Sequence, residues 1–230
     1  MKPIMKENSQ SGAHAIGEPR VLYPIATPAT RPIDRRVVLK SGAWITLRHA
    51  VAADAAQLVQ MHLRLSPSSR YQRYLRPHNP GLGEMEELCR LARGIGEAFV
   101  AESDDPEMHI VGLIYYIRDS YPQDHRAEFG ITVEDGFQGG GLGRAMLDHM
   151  LKHARFSGVH LMEANVLPQN KKMLHLLDTC GRPLHRSLSP EFITVTMEIG
   201  ADGDDDAQLM CLLADAAASP LPTVQSALCG

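Results

Sequence analysis

Two hydrophobic rhythms alternate along the middle of the chain, one of period two and one close to the helical repeat. They divide residues 44–199 into strands and helices. Trp44-Ile-Thr-Leu-Arg48 alternates as a first strand. Asp54 with Gln57 three residues later has the spacing of a capping box, and Leu58, His62 and Leu65 follow at helical intervals. Ser66-Pro67 supplies an N-cap and a proline at the first helical position for a second helix reaching Leu75. After the breaker Arg76-Pro-His-Asn-Pro-Gly-Leu-Gly83, residues 84–93 predict a short third helix. Three strands come next, Glu97–Glu102, His109–Arg118 and Arg126–Val133. The turns Asp104-Asp105-Pro106 and Ser120-Tyr121-Pro122 between them predict an antiparallel meander. A helix over 143–156 gathers Met146, Leu147, Met150, Leu151 and Ala154 on one face. A strand at 160–166, a helix at 170–180 ended by Gly181 as its C′ residue, and a strand at 191–199 complete the pattern.

The flanks lack this rhythm. Residues 1–40 mix Pro, Ser, Gly, Asn and charge, and read as a mostly disordered arm, so the ordered domain is expected over 41–200. Residues 201–230 read as an acidic, Ala-rich tail, with Asp204–Asp206 where the dipole of a short helix would favour acid. Charge is distributed unevenly: residues 1–40 hold seven Lys/Arg against three Asp/Glu, whereas the tail holds five Asp and no Lys or Arg. The net charge of −4 gives no basic footprint for nucleic acid. The four cysteines, Cys89, Cys180, Cys211 and Cys229, form neither a CxxC pair nor a metal spacing, which suits a reducing compartment. With no continuous apolar leader and no long apolar run, a cytoplasmic protein is the expectation.

The stretch Ala127 to Leu147 changes this picture from a fold to a function. It begins as a strand, passes through Gln138-Gly-Gly-Gly-Leu-Gly143 and becomes an amphipathic helix. Glycines let the backbone approach an anion closely, and the free N–H groups of a first helical turn point at it. A phosphorylated ligand is therefore expected on Gly139, Gly140, Gly141 and Gly143. It is not a P-loop, since no Lys-Ser or Lys-Thr follows. Nor is it the dinucleotide fingerprint, since Arg144, Ala145 and Met146 stand where the third glycine belongs.

What remains, Gln138-x-x-Gly141-x-Gly143 between a strand and a helix, resembles the signature of the GNAT superfamily of N-acetyltransferases. The order of elements over roughly 44–199 resembles that superfamily too. The resemblance implies an α/β (α+β) domain, a mixed and mostly antiparallel central sheet flanked by helices, with the acetyl-CoA N-acyltransferase fold. It implies acetyl-CoA as co-substrate and an amine as acceptor, with no metal; the net charge and the lack of a long apolar run leave nucleic acid and membrane out of the expected partners. It assigns the co-substrate to Ile131, Thr132 and Val133 on the strand, to Gln138, Gly139, Gly140, Gly141, Leu142, Gly143 and Arg144 at the loop, and to Asn170 and Met173 on a later helix.

Transfer to an amine needs a base, a donor for the carbonyl oxygen and an exit for the thiolate. A lysine amine titrates at about 10.4, so a positioned base contributes about 10²–10⁴-fold. Glu134 and Asp135 fall in a turn, where acids are usually solvated, while Glu128 lies in the strand beside Phe129, where partial burial would tune it. Ala127-Glu128-Phe-Gly-Ile-Thr-Val resembles the same segment of bacterial Pat-type protein-lysine acetyltransferases, and that likeness gives Glu128 the role of general base. The competing reading makes it a surface carboxylate paired with a cross-strand cation; Glu163 is the second candidate. The superfamily's oxyanion donor is a backbone N–H, here near Val133.

Asn170-Lys-Lys-Met173-Leu-His-Leu-Leu177 resembles the superfamily's next helix, except that Leu177 stands where many members carry a tyrosine acid. Pat-type enzymes commonly lack that tyrosine, and water can protonate the thiolate. Asn170 either bonds the pantetheine arm or caps its helix. Leu65 to Tyr74 also resembles the first helices of Pat-like domains, with Tyr71 and Tyr74 lining the acceptor groove or packing as core aromatics. His149 and His153 stand at i, i+4 and read as solvated helix surface, and Cys180 reads as a small buried residue. An acetyltransferase for a protein lysine is the expectation, with a small-amine acetyltransferase or a non-catalytic acyl-CoA sensor as alternatives.

Overall fold

All three strands of the expected meander form, and two further strands that the hydrophobic rhythm does not announce extend the sheet at its edges. In this computed structural model residues 34–91, 95–106, 108–118, 125–180 and 182–199 are described. The expected C-terminal tail, most of the N-terminal arm, the Ser120-Tyr121-Pro122 turn, Gly181 and the Cys180 side chain lie outside those residues.

The strands are β1 (Arg35–Val38), β2 (Trp44–His49), β3 (Gly96–Ser103), β4 (Ile110–Arg118), β5 (Arg126–Val133), β6 (Leu161–Val166), β7 (Arg182–Leu188) and β8 (Ile193–Glu198). The helices are α1 (Ala55–Arg64), α2 (Pro67–Tyr74), α3 (Leu82–Cys89), α4 (Leu142–Phe156) and α5 (Lys171–Cys180). The sheet runs β1-β2-β3-β4-β5-β6-β8-β7. Every neighbouring pair is antiparallel except β5 and β6.

One boundary needs correction. The reading of 1–40 as an arm runs over β1, which pairs with β2 across the turn at Lys40-Ser41-Gly42. The charged Arg35-Arg36 pair hides β1 in the sequence; as an edge strand it needs no apolar face on both sides. Similarly β7 carries Pro183 and little apolar sequence, which an edge strand tolerates because one row of its N–H groups has no ladder to serve. The predicted capping box is also reassigned. Asp54 does not cap α1; its Oδ2 accepts the Val51 N–H at 2.8 Å, and its carboxylate takes both terminal nitrogens of Arg48. Ser66, by contrast, caps α2 as its sequence predicts, accepting the Ser69 N–H at 3.1 Å.

The sheet separates two cores. On one face α4 and α5 bury Met146, Leu147, Met150, Ala154 and Leu177 against Phe99, Ala127, Phe129 and Met162. On the other, α1 and α3 bury Leu58, Met61 and Met85 against Val100, Ile110 and Leu113. The alternation of β5 follows: Ala127 and Phe129 face α4, while Gly130 lies under Arg73 of α2. α4 comes so close to the sheet that a Cβ on Gly112 of β4 would stand 2.8 Å from Met146 Sδ.

His149 and His153 are not solvated surface. His149 is buried, and both rings pack on Phe99 with centroids 5.0 and 4.7 Å away. Burial, reinforced by neighbouring imidazoles, pushes His149 down to about 4 and His153 to about 3. The shift of face is small: both flank the apolar stripe of α4, where Phe99 of β3 covers both and His49 of β2 meets His153 edge-on.

Candidate active site

The parallel pair comes apart in the middle. β5 and β6 are in register at Arg126↔Leu161, Ala127↔Met162 and Glu128↔Glu163, and the ladder ends there. Beyond Glu128 the strands splay around a cleft of about 480 Å³, with Phe129 to Val133 on one wall and Ala164 to Val166 on the other. Among the described residues no strand pairs with the backbone groups of β5 on that edge, while its other edge remains laddered to β4 as far as Val133↔Gly112.

The glycine loop closes one end. Gly139 and Gly141 have φ of +76° and +99°, a left-handed conformation that side chains with a Cβ rarely adopt. Gly141 is the N-cap of α4 and supplies no side-chain cap, and the first i−4 bond is Ala145 N–H to Gly141 C=O at 3.1 Å. The N–H groups of Leu142, Gly143 and Arg144 therefore stand ahead of the ladder, the arrangement that binds anions. Lys40, Arg144 and Lys172 line the same cleft and add positive charge. Gln138 anchors the loop: its Nε2 donates to Val133 O at 3.1 Å and to Ser69 Oγ at 3.3 Å.

Ten of the residues expected to hold the co-substrate line this cleft: Ile131, Thr132, Val133, Gln138, Gly139, Gly141, Gly143, Arg144, Asn170 and Met173. Two do not. Leu142 is fully buried in the core beneath the loop, and Gly140 turns its carbonyl to the Lys40 N–H at 3.0 Å. Asn170 caps α5, its Oδ1 accepting the Met173 N–H at 3.1 Å, while still facing the cleft.

Glu128 stands where the ladder stops, on the α2 face of β5. It is exposed, so the partial burial expected for it is absent. It is held in place by a hydrogen-bonded chain: Thr194 Oγ1 donates to Asn165 Oδ1 at 2.8 Å, and Asn165 Nδ2 donates to Glu128 Oε1 at 3.2 Å. Glu163 is engaged elsewhere, by Arg126 and by Thr196 Oγ1 at 2.9 Å. Glu134 and Asp135 are not merely solvated turn acids. Glu134 pairs with Arg64 at 2.8 Å, and Asp135 accepts the Ser66 N–H at 2.8 Å and Ser69 Oγ at 2.7 Å. Burial alone would raise the Asp135 carboxyl, but these bonds from Ser66 and Ser69 outweigh it and hold it below its usual range. They also tie α2 to the loop after β5.

Several lining residues escape the sequence reading. From α2 it is Ser69, Gln72 and Arg73 that enter the cleft, and the tyrosines do not. Tyr71 is exposed, and Tyr74 packs its ring against His62 and His78. Arg73 lies over Gly130, where a Cβ would stand 2.3 Å from its terminal nitrogen, and it reaches the Tyr115 hydroxyl. Asn165 had a usable signal, the alternation of polar Glu163 and Asn165 along β6. Lys40 had none, because its place depends on the β1–β2 turn folding over the glycine loop.

Comparison with known proteins places the chain's family and fold. The family model described as acetyltransferase (GNAT) family matches residues 61–181, more than half of the chain, and the chain belongs to that family. The acetyltransferase Pat of Mycolicibacterium smegmatis is 23% identical over 146 residues, covering 63% of this chain and 43% of that protein. The chain thus spans less than half the length of that relative. The GNAT domain of S. lividans PAT superimposes with a TM-score of 0.65 at 24% identity, over 72% of this chain and 96% of that one. The Salmonella typhimurium protein yncA, solved with its cofactor acetyl-CoA, superimposes with a TM-score of 0.54 at 17% identity, over 69% of this chain and 96% of that one. Among the described residues, no helix is long and apolar enough to cross a membrane.

Proposed function

We propose that the protein transfers an acetyl group from acetyl-CoA directly to an amine, with a protein lysine as the acceptor class. The observation that carries this reading is the split after Glu128: an open strand edge with an anion-binding helix start at one end and a hydrogen-bonded carboxylate beside the other. The donor set fits the co-substrate. Backbone N–H groups from Gln138 to Arg144 hold its pyrophosphate, aided by the nearby cations. The free edge at Ile131, Thr132 and Val133 serves its amides, Asn170 offers the amide nitrogen that its cap leaves over, and Met173 adds apolar contact.

In the transfer, Glu128 takes the proton of the acceptor ammonium, held in place by Asn165. The freed lone pair forms the C–N bond at the thioester carbonyl while the C–S bond breaks. A backbone N–H near Val133 donates to the carbonyl oxygen as it gains charge. Water carries the second nitrogen proton, shed as the amide forms, to the departing thiolate, in keeping with the fully buried Leu177 at the place of the tyrosine acid. A second reading has its own support: Arg73 over Gly130 puts a cation in the cleft wall, which favours a small amine bearing a carboxylate.

Incubation with acetyl-CoA and a panel of lysine-bearing proteins, amino acids and polyamines, with free CoA followed by mass spectrometry, tests these readings. Release that requires a lysine-bearing protein supports the first, and release confined to carboxylate-bearing amines moves the assignment to the second. Acetyl-CoA binding with no release on any acceptor would make the domain an acyl-CoA sensor and overturn both.

A further inference from the structure

At the opposite end of α4 from the glycine loop, three potential metal ligands from three elements converge. His49 closes β2, Glu97 opens β3, and His153 lies in the last turns of α4. Their ligand atoms all lie within 4.8 Å of one another. Glu97 Oε2 is at the centre, 3.9 Å from His49 Nε2 and 3.9 Å from His153 Nδ1. Among the described residues this is the one trio of this kind.

Two features set it apart from an ordinary polar cluster. Glu97 Oε2 is buried and has no hydrogen-bond partner among the described residues, and 3.9 Å is too long for either imidazole to provide one. A buried carboxylate oxygen left bare in this way is costly unless something else satisfies it. The donors are also held in place. His49 and His153 stack on Phe99 with centroids at 4.4 and 4.7 Å, and Glu97 lies beside the Tyr116 hydroxyl, the kind of outer contact that orients a ligating carboxylate.

We propose that His49, Glu97 and His153 bind a divalent transition metal of the zinc class, tying the end of α4 to β2 and β3. Ligands at about 2.0–2.2 Å around a tetrahedral ion stand roughly 3.4 Å from one another, so the two 3.9 Å separations from Glu97 close by about half an ångström, while the two imidazoles, within 4.8 Å of each other, turn further toward the ion. Two imidazole nitrogens with one carboxylate oxygen suit Zn²⁺ over Mg²⁺ or Ca²⁺, which prefer all-oxygen shells. His49 is the most exposed of the three, at 35% of its side chain, and leaves a route for the ion and a fourth position for water. None of the three lines the active-site cleft, and ten residues of helix, about 15 Å of rise, separate Gly143 from His153. The role is therefore structural, independent of the acetyl transfer proposed above.

The test is a titration of the full chain, stripped with a chelator, with Co²⁺ followed in the visible and ultraviolet and then displaced by Zn²⁺. One equivalent is expected to give d–d bands without sulfur-to-cobalt charge transfer, and to raise the melting temperature. Glu97→Gln and His49→Gln are each expected to weaken binding about a hundredfold or more while keeping the far-ultraviolet circular dichroism. Should Glu97→Gln fail to fold, His49→Gln, at the more exposed position, decides alone. Absence of one-equivalent d–d bands, bands carrying thiolate charge transfer, or equal affinity in the folded variants would each overturn the proposal.

Discussion

The two edges of β5 differ in one respect, and the difference explains the site. Toward β4 the strand is laddered from Arg118↔Ala127 to Gly112↔Val133, with α4 pressed against the neighbouring glycine. Toward β6 the ladder stops at Glu128, and the remaining backbone faces a cleft. One edge is used for stability and the other is held open for a ligand. An unpaired inner strand edge is costly in isolation, since buried N–H and C=O groups need partners. It persists because the closed edge and the two cores fix the strand from behind.

Substitutions on the two edges should therefore have different signatures. The largest effect is expected from Glu128→Gln on the open side: a fall in kcat of about 10²–10⁴-fold with the KM for acetyl-CoA little changed, read by CoA release. Unaltered turnover would remove Glu128 from the mechanism. On the closed side, Gly112→Ala drives a methyl group into Met146, and overpacking of this kind costs about 1–3 kcal/mol. Urea melts should show that loss while the turnover of the folded enzyme holds; a variant of normal stability and reduced kcat would reverse the assignment of the two edges.

Gly141→Ala sharpens the contrast at the mouth of the cleft. An L residue at φ +99° is strained by about 1–2 kcal/mol, so the KM for acetyl-CoA should rise by roughly tenfold, with kcat following less. An unchanged KM would mean that the loop conformation is not needed for the anion. The smallest effect concerns the core behind the closed edge. His62 is buried, its Nδ1 donates to Leu58 O at 2.7 Å, and its Nε2 has no partner among the described residues. Burial lowers its titration, against the opposing Leu58 bond, with Arg73, Glu84 and His78 as the charged groups facing it. Below its ordinary value of about 6.5 the unfolded chain takes up a proton that the folded chain refuses. Stability is then full above that pH and falls below it, by at most about 1.4 kcal/mol per pH unit. Urea melts at pH 7.5 and 5.5 should show a steeper acid loss in the native protein than in His62→Gln, and parallel losses would exclude His62 as the source.

The strands of the meander, the apolar face of α4, the Ser66 cap and the glycine loop were all readable, because each is encoded by residues close together in the chain. β1 and β7 were not, since an edge strand has no apolar alternation to display. The acceptor side of the cleft was misread for a related reason. Tyr71, Tyr74, Gln72 and Arg73 share one short helix, and only the angle at which α2 meets β5 selects which of them turn inward.

The sequence by itself determined where the phosphate-binding turn lies and which helix it opens, since Gln138-x-x-Gly141-x-Gly143 needs only local backbone geometry and a helix start. Tertiary structure alone decided that the strand before it would be left half paired, because β6 stays laddered to β8 as far as Val166 while its ladder with β5 ends at Glu163. It also decided that Lys40 would arrive over the loop, that Thr194 and Asn165 would orient Glu128, and that His49, Glu97 and His153 would meet. Those residues come from distant parts of the chain, and no local rhythm records a contact formed only when the sheet is assembled.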